Sequence, residues 1–150
     1  MNSNELLTAR ILLVEDNPGD VRLTLEAFRY SKLKNPLDVA KDGIDALAYL
    51  HQEGNYAGKP LPDLILLDLN LPRMDGRELL AAIKSDERLK QIPVVVLTTS
   101  KADQDVLGSY LLQASCFITK PVDFHQFTEV IKAIDSFWLS IVTLPRGPSR

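Results

Sequence analysis

A run of four apolar residues that ends in a carboxylate, LILLD at Leu64–Asp68, constrains the fold more than any other part of the sequence. An unbroken apolar run of this length predicts a strand covered on both faces, which is typical of a parallel sheet with helices above and below it. Asp68 then lies at the carboxyl end of the strand, the edge where open α/β sheets bind their ligands. A single aspartate at a strand end also serves as a turn former or a helix cap, so its role depends on the other strands.

Four further short apolar runs alternate with segments in which apolar residues recur at helical spacing. They predict strands at residues 10–15, 37–40, 94–98 and 116–119. Helices are predicted to begin at Asn17-Pro18, Asp42-Gly43, Gly76 and Ala102, and after Asp123. Core-facing side chains are expected to be Ile44, Leu47 and Ala48 in the second helix and Leu79, Leu80 and Ile83 in the third. Because successive βα units require a parallel sheet with right-handed crossovers, the predicted fold is α/β, a doubly wound five-stranded parallel sheet, (βα)5.

Length and composition place the chain among soluble globular proteins. The 150 residues are 45% hydrophobic and 25% charged, which suits one domain with a sizeable core. A formal net charge of -3 gives no support for nucleic-acid binding, and the single cysteine, Cys116, cannot form an internal disulfide. Neither a signal peptide nor an apolar segment of the ~18 residues needed to span a bilayer is visible. We expect a cytoplasmic protein with neither nucleic-acid nor membrane partners, made of an N-terminal arm (1–9), one domain (10–144) and a disordered tail (145–150).

Polar residues fall at the carboxyl ends of several predicted strands. Glu15 and Asp16 follow the first strand, Asp68 ends the third, Thr98 ends the fourth and Lys120 follows the fifth. Because the carboxyl ends of parallel strands meet at one edge, we expect these residues to form an acidic pocket flanked by a hydroxyl and an ammonium group. Three clustered carboxylates repel one another, and Mg²⁺, a hard cation that prefers oxygen ligands, relieves the repulsion. A bound Mg²⁺ would also neutralise an incoming phosphoryl group.

These residues and their spacing resemble the receiver domains of two-component response regulators. The motifs that carry the resemblance are Glu15-Asp16, the segment DLNLPRMDG at 68–76, Thr98 and Lys120-Pro121. The resemblance covers residues 10–137 and implies the flavodoxin-like (CheY-like) version of the predicted fold, with a helical extension from about residue 137. The loop at 54–62 and the chain beyond 137 are similar to a narrower group, the small stand-alone regulators that serve cyanobacterial phytochromes and similar hybrid sensors.

The resemblance implies a phosphorylation-dependent signalling domain. Asp68 would be the nucleophile that takes a phosphoryl group from a histidine kinase and forms an acyl phosphate. Asp16 and Asp68 would hold Mg²⁺ directly, together with the backbone carbonyl of Asn70, and Glu15 would act mostly through water. A phytochrome-type sensor is the expected kinase, and we expect no enzymatic activity beyond Mg²⁺-dependent self-phosphorylation at Asp68.

Three further residues would read the phosphorylated state. Lys120 would pair with the phosphoryl oxygens as a point charge, and Thr98 would donate its hydroxyl to them and move toward them. Phe117, where many relatives carry an aromatic residue, would swing inward behind Thr98. From the residues alone, Thr98 could also be an ordinary strand threonine, Lys120 a solvated loop lysine and Phe117 a core residue. In the loop after the central strand, Arg73 is expected to face solvent and Met74 to pack.

Three other functions fit a carboxylate at a strand end. A phosphatase with an aspartate nucleophile usually needs a second aspartate two residues later, where this chain has Asn70. A nucleotide or flavin binder of flavodoxin type would carry a glycine-rich phosphate loop after the first strand, and none follows it. A receiver-like adaptor that works without phosphorylation stays open as the alternative, although Glu15, Asp16, Asp68 and Lys120 are all present.

The end of the sequence predicts how the domain assembles and transmits its signal. The last predicted helix carries an apolar stripe that continues through Phe137, Trp138 and Ile141, and a single domain has little core left to bury them. We expect a symmetric homodimer built on this helix, its extension and the neighbouring surface of the fourth helix or fifth strand, since tryptophan is enriched in interfaces. The alternative is that the extension folds back on its own domain. Because no DNA-binding or catalytic domain follows residue 150, output is expected through protein contacts, with an effector or with a downstream phosphotransfer protein.

Overall fold

Five parallel strands form the centre of the molecule. The computed structural model describes residues 10–30, 36–69, 71–98 and 116–119, without the side chains of residues 27, 28, 30, 98 and 116–119. The strands are β1 (Ile11–Val14), β2 (Leu37–Ala40), β3 (Leu64–Asp68), β4 (Val94–Thr98) and β5 (Cys116–Thr119). Their order in the sheet is β2-β1-β3-β4-β5. The order reverses between β1 and β3, as in doubly wound flavodoxin-like proteins, so the predicted fold class is confirmed.

The central strands contain the largest share of the core. Every residue of β1 and β3 is buried, and so are the described side chains of β4. Within the described sheet β2 lies at an edge, and Val39 on it is exposed. Burying one large aliphatic side chain stabilises a fold by roughly 1.5–3 kcal/mol. The unbroken apolar runs of β1 and β3 therefore favour central positions in the sheet, where both faces of each strand are covered.

Three helices are described, and each starts at a polar cap. They are α1 (Pro18–Tyr30), α2 (Gly43–Leu50) and α3 (Gly76–Ser85), and a short 3-10 helix covers Gly54–Tyr56. Side-chain oxygens of Asn17, Asp42 and Asp75 accept hydrogen bonds from backbone amides in the first turns of α1, α2 and α3. The helices predicted from Ala102 and after Asp123 lie outside the described residues. Among the residues that are described, no helix is long and apolar enough to cross a membrane.

The predicted core face is right for α3 and wrong in part for α2. Leu79, Leu80 and Ile83 of α3 are completely buried. In α2 the buried residues are Gly43, Ala46, Tyr49 and Leu50, whereas Ile44 is 47% exposed. The reason is that the backbone of Gly43 packs directly against Met74 in the β3–α3 loop. Residues three and seven positions after Gly43 share its face of the helix, so this contact turns Ile44 toward solvent.

Candidate metal centre

Three carboxylates come together at the carboxyl edge of the sheet because of the strand register. Val14 of β1 pairs with Leu67 of β3, so Glu15 and Asp68, which follow them, are neighbours across the two strands. Asp16 is one position further along the chain. One carboxylate oxygen from each of Glu15, Asp16 and Asp68 lies within 4.8 Å of the other two. The structure thus brings together three of the residues that sequence reasoning assigned to one site.

The three acids differ in their surroundings. Glu15 and Asp68 are each 2% exposed, whereas Asp16 is exposed. The backbone amide of Glu15 donates a hydrogen bond to the carbonyl of Ala40 in β2 at 3.0 Å. The Glu15 carboxylate accepts one from the amide of Asn17 at 3.3 Å. Two carboxylates therefore lie in the protein interior, and the third is exposed to solvent.

The donor set fits a hard divalent cation. All three donors are carboxylate oxygens, the ligand type that Mg²⁺ and related ions prefer. Ligands on opposite sides of one ion, each bound at about 2.0–2.6 Å, lie about 4–5 Å apart. The carboxylate oxygens of Glu15, Asp16 and Asp68, all within 4.8 Å of one another, are close enough to share one ion. Buried like charges are unfavourable unless an opposite charge compensates them. A cation bound through Asp16 and Asp68, with waters in its remaining positions, would supply that charge.

Gly76 anchors the chain that follows Asp68. The amide of Gly76 donates to the carbonyl of Leu69 at 3.0 Å, and the amide of Leu69 donates to Leu97 in β4 at 3.1 Å. The first residue of α3 is thus packed onto the end of β3 with no room for a Cβ atom. The loop between Leu69 and Gly76 is held at both of its ends.

An ion pair holds the middle of this loop, and sequence reasoning did not foresee it. Arg73 has a left-handed backbone with φ of 63°, and its Nε and Nη2 atoms lie 2.8 and 2.6 Å from Oδ2 of Asp42. The Arg73 side chain is 58% exposed, as expected, but its charge is paired with a carboxylate that is only 10% exposed. Met74, next to it, is half-buried against the core, as predicted.

Asp42 uses its two carboxylate oxygens for different partners. Oδ1 accepts from the Asp45 amide at 2.8 Å as the N-cap of α2, and Oδ2 receives Arg73. Burial acts to raise the pKa of Asp42, but the amide hydrogen bond and the Arg73 guanidinium outweigh it, so the pKa lies below its ordinary value. The carboxylate is consequently charged at neutral pH and ties the β3–α3 loop to the start of α2.

Comparison with known proteins identifies the family that has this arrangement. The sequence profile of the Response regulator receiver domain matches residues 11–132 of the chain. The chain belongs to this family. It therefore functions in phosphorylation-based two-component signalling, as the sequence motifs predict. Receiver domains are in general not true enzymes, and they bind divalent metal ions at an acidic cluster of the kind seen here.

Relatives of this receiver domain include regulators from phytochrome signalling. The response regulator Rcp1 of Synechocystis sp. is 50% identical over 135 residues, which are 90% of this chain and 92% of Rcp1. The crystal structure of the phosphorylated cyanobacterial phytochrome response regulator RcpA is 52% identical, with a TM-score of 0.78, covering 92% of this chain and 99% of RcpA. A Mn²⁺-bound crystal structure of Rcp1 is 49% identical, with a TM-score of 0.76 and coverage of 91% and 99%. The predicted resemblance to this group is confirmed.

The remaining predicted site residues of the receiver are described only in part. Thr98 is the last residue of β4, one position beyond Leu97, which pairs with Asp68. Phe117 lies in β5 and pairs with Val96. Asn70 and Lys120 lie outside the described residues. The backbone thus brings Thr98 to the carboxylate edge of the sheet, and the roles of all four residues stay predictions.

Proposed function

We propose that this receiver accepts a phosphoryl group on Asp68 from a histidine kinase in a reaction that needs Mg²⁺. The observation that carries the proposal is the grouping of the buried Asp68 carboxylate with Glu15 and Asp16 at the carboxyl end of the sheet. A lone buried carboxylate could not meet a phosphoryl group without severe repulsion. A site that collects acids around a cation resolves this conflict, because the cation offsets both sets of charges.

Each residue of the site has a task in the proposed transfer. An Oδ atom of Asp68 forms a bond to phosphorus while the bond between phosphorus and the kinase histidine breaks, and the imidazole leaves with a proton. Asp16 and Asp68 would hold Mg²⁺ together with the Asn70 carbonyl, and Glu15 would act mostly through water. When bound, Mg²⁺ neutralises charge on the transferring phosphoryl group. Burial of Asp68 restricts the positions that the attacking oxygen can take.

Lys120, Thr98 and Phe117 are proposed to read the phosphorylated state. Lys120 pairs with phosphoryl oxygens, and the Thr98 hydroxyl donates to another of them. Movement of Thr98 toward the phosphoryl group frees space that the Phe117 ring enters. The order of strands supports this proposal, since β4 and β5 are neighbours and β4 lies beside β3. A change of charge at Asp68 would then alter the surface formed around β5.

A phytochrome-type histidine kinase is the proposed partner. The support is the similarity to Rcp1 and RcpA over nine tenths of the chain. The test is transfer of labelled phosphate from such a kinase, autophosphorylated in advance, to this receiver with Mg²⁺ or with excess chelator. Rapid labelling only with Mg²⁺ is the expected result. Absence of labelling from this kinase and from acetyl phosphate would favour the alternative, a receiver-like adaptor that works without phosphorylation.

Assembly and output are a separate part of the proposal, supported by the apolar stripe that continues through Phe137, Trp138 and Ile141 in the sequence. We propose a cytoplasmic receiver at residues 10–144, with an N-terminal arm at 1–9, a helical extension from about 137 and a tail at 145–150. The last predicted helix would form a homodimer together with its extension and neighbouring surface, and the phosphorylated protein would pass its signal to an effector or to a phosphotransfer protein. Sedimentation of the full chain and of a chain stopped after Ser136 tests the assembly. A full-length protein that stays monomeric at tens of micromolar, with or without phosphate, would contradict the dimer.

A further inference from the structure

We propose that Arg73 is a positioning residue for the metal centre, acting through its ion pair with Asp42. This inference rests on the proposed function, because it concerns how the Mg²⁺ site is held in shape. The β3–α3 loop contains Asn70, the predicted carbonyl ligand. Arg73, in the same loop, forms an ion pair with Asp42, the N-cap of α2. The proposal assigns a role to two residues, neither of which is itself a metal ligand.

The loop is joined to α2 by two adjacent contacts. Arg73 places two nitrogens on one oxygen of Asp42, at 2.8 and 2.6 Å. Beside this pair, Gly43 packs so tightly on Met74 that a Cβ atom would lie 2.7 Å from the Met74 Cβ and 2.9 Å from its carbonyl oxygen. An exposed ion pair alone contributes little. Here the carboxylate is nearly buried and also caps a helix, so the guanidinium binds a rigid partner.

The start of α2 is in turn tied to the acids that follow β1. Val14 of β1 pairs with Ala40 of β2, and the amide of Glu15 donates to the Ala40 carbonyl at 3.0 Å. Asp42 follows Ala40 by two residues. The Arg73–Asp42 pair therefore connects the loop after Asp68, through the residues between β2 and α2, to Glu15 and Asp16. Breaking the pair would let this loop shift relative to the acids without removing any ligand.

Four variants separate positioning from charge and from fold stability. Arg73→Met removes the guanidinium and keeps the aliphatic stem. Asp42→Asn removes the negative charge and keeps an N-cap, since Asn and Asp cap helices about equally well. The double variant completes a cycle. The control is Arg88→Met, which also removes an arginine that contacts the chain next to α2. Arg88 donates a hydrogen bond at 2.9 Å to the side chain of Gln52, which lies just after the C-terminal end of α2.

The readout is Mg²⁺ affinity, from titration of backbone amide shifts in the full-length, unphosphorylated protein, well below its unfolding temperature. Urea denaturation of each variant checks that it is folded. Positioning predicts that Arg73→Met and Asp42→Asn each weaken Mg²⁺ binding by about 3- to 10-fold, less than the roughly 10- to 100-fold typical of groups that touch metal ligands. The double variant should bind no more weakly than the weaker single variant, and Arg88→Met should bind as the wild type does.

Stronger Mg²⁺ binding by Arg73→Met than by the wild type would overturn the proposal. If the pair acted only through its charges, removing the positive charge would strengthen Mg²⁺ binding while Asp42→Asn would weaken it. If the pair served stability alone, both variants would lower the urea midpoint and leave Mg²⁺ affinity unchanged. Either result excludes a positioning role. If the wild type itself gives no saturable response to Mg²⁺, it is the proposed function that fails.

Discussion

Gly76 approaches the backbone of Asp68 so closely that a Cβ atom on it would lie 2.5 Å from the Asp68 carbonyl oxygen. The same atom would lie 2.6 Å from the Cα of Leu69. Both neighbours are backbone atoms at the end of a buried strand, so they cannot move aside without shifting Asp68 itself. The start of α3 and the proposed phosphoryl acceptor are therefore one packed unit.

Gly76→Ala should destabilise the protein, although alanine is the better helix former. Overpacking costs about 1–3 kcal/mol, and because Gly76 is the first residue of α3, alanine gains less there than the roughly 1 kcal/mol it gains over glycine in a helix interior. The measurement is urea denaturation, with Gly19→Ala in α1 as the control. A Cβ at Gly19 would meet the side-chain oxygen of Asn17 that caps α1 at 3.2 Å; because this neighbour is the end of a side chain and not backbone, Gly19→Ala should lose less stability than Gly76→Ala. Equal stability of Gly76→Ala and wild type would contradict this packing.

Asp16→Ala should abolish the stabilisation that Mg²⁺ confers on the unphosphorylated protein. At ten times Kd, a ligand bound only by the native state adds about 1.4 kcal/mol, which raises Tm by about 3–6 °C in a chain of this size. Without Mg²⁺, Asp16→Ala should be at least as stable as wild type, because it removes repulsion with Glu15 and Asp68. Thermal unfolding with and without Mg²⁺ checks both points.

The control for Asp16→Ala is Glu53→Ala, which removes an exposed acid outside the cluster. An unchanged response of Asp16→Ala to Mg²⁺ would remove Asp16 from the ligand set.

Tyr56→Phe should lower stability at neutral pH by about 1 kcal/mol. Tyr56 donates to Asp45 at 2.7 Å, and this hydrogen bond, with burial, raises the pKa of Tyr56 to about 12. A raised tyrosine pKa means that the contribution is full below pH 10, the ordinary pKa, and is lost as the pH rises toward 12. The stability difference between wild type and Tyr56→Phe should therefore shrink above pH 10 in urea denaturation. A difference that stays constant across this range would contradict the assigned hydrogen bond.

Thr98→Ala should separate phosphorylation from its readout. The variant keeps the three carboxylates, so it should still accept phosphate from acetyl phosphate with Mg²⁺. It lacks the hydroxyl that would reach the phosphoryl oxygen, so the Phe117 ring should not move inward. Amide and aromatic NMR shifts around Phe117, compared before and after phosphorylation, provide the measurement. The switch model fails if phosphorylated Thr98→Ala and phosphorylated wild type show the same shifts.

The sheet and three acids of the site could be predicted because their signals are local. The apolar runs of β1 and β3 fit only buried parallel strands, and each run ends beside a carboxylate. The face of α2 could not be predicted, since apolar residues occur at 44, 46, 47, 48 and 50 and suit more than one orientation. Packing of Gly43 on Met74 decides between them.

The Arg73–Asp42 pair could not be predicted from the sequence for a different reason. The two residues are 31 positions apart, and no periodic pattern links them. From the sequence, Arg73 is expected to be a solvent-exposed charge in a loop. Capping of α2, which the structure also shows, is enough to account for Asp42. Only the folded chain brings the second oxygen of that cap to the guanidinium. Tertiary ion pairs of this sort have no counterpart in the sequence pattern.

The most direct test of the central claim is labelling by phosphate at Asp68. Wild type, Asp68→Asn and the control Asp75→Asn are incubated with labelled acetyl phosphate, with Mg²⁺ or with chelator. Asp75 is an aspartate outside the carboxylate cluster, and it caps α3. Asparagine at this position preserves the cap. The expected result is hydroxylamine-labile label on wild type and Asp75→Asn only with Mg²⁺, and none on Asp68→Asn. Full labelling of Asp68→Asn, or equal labelling of wild type without Mg²⁺, would contradict Asp68 as the Mg²⁺-dependent phosphoryl acceptor.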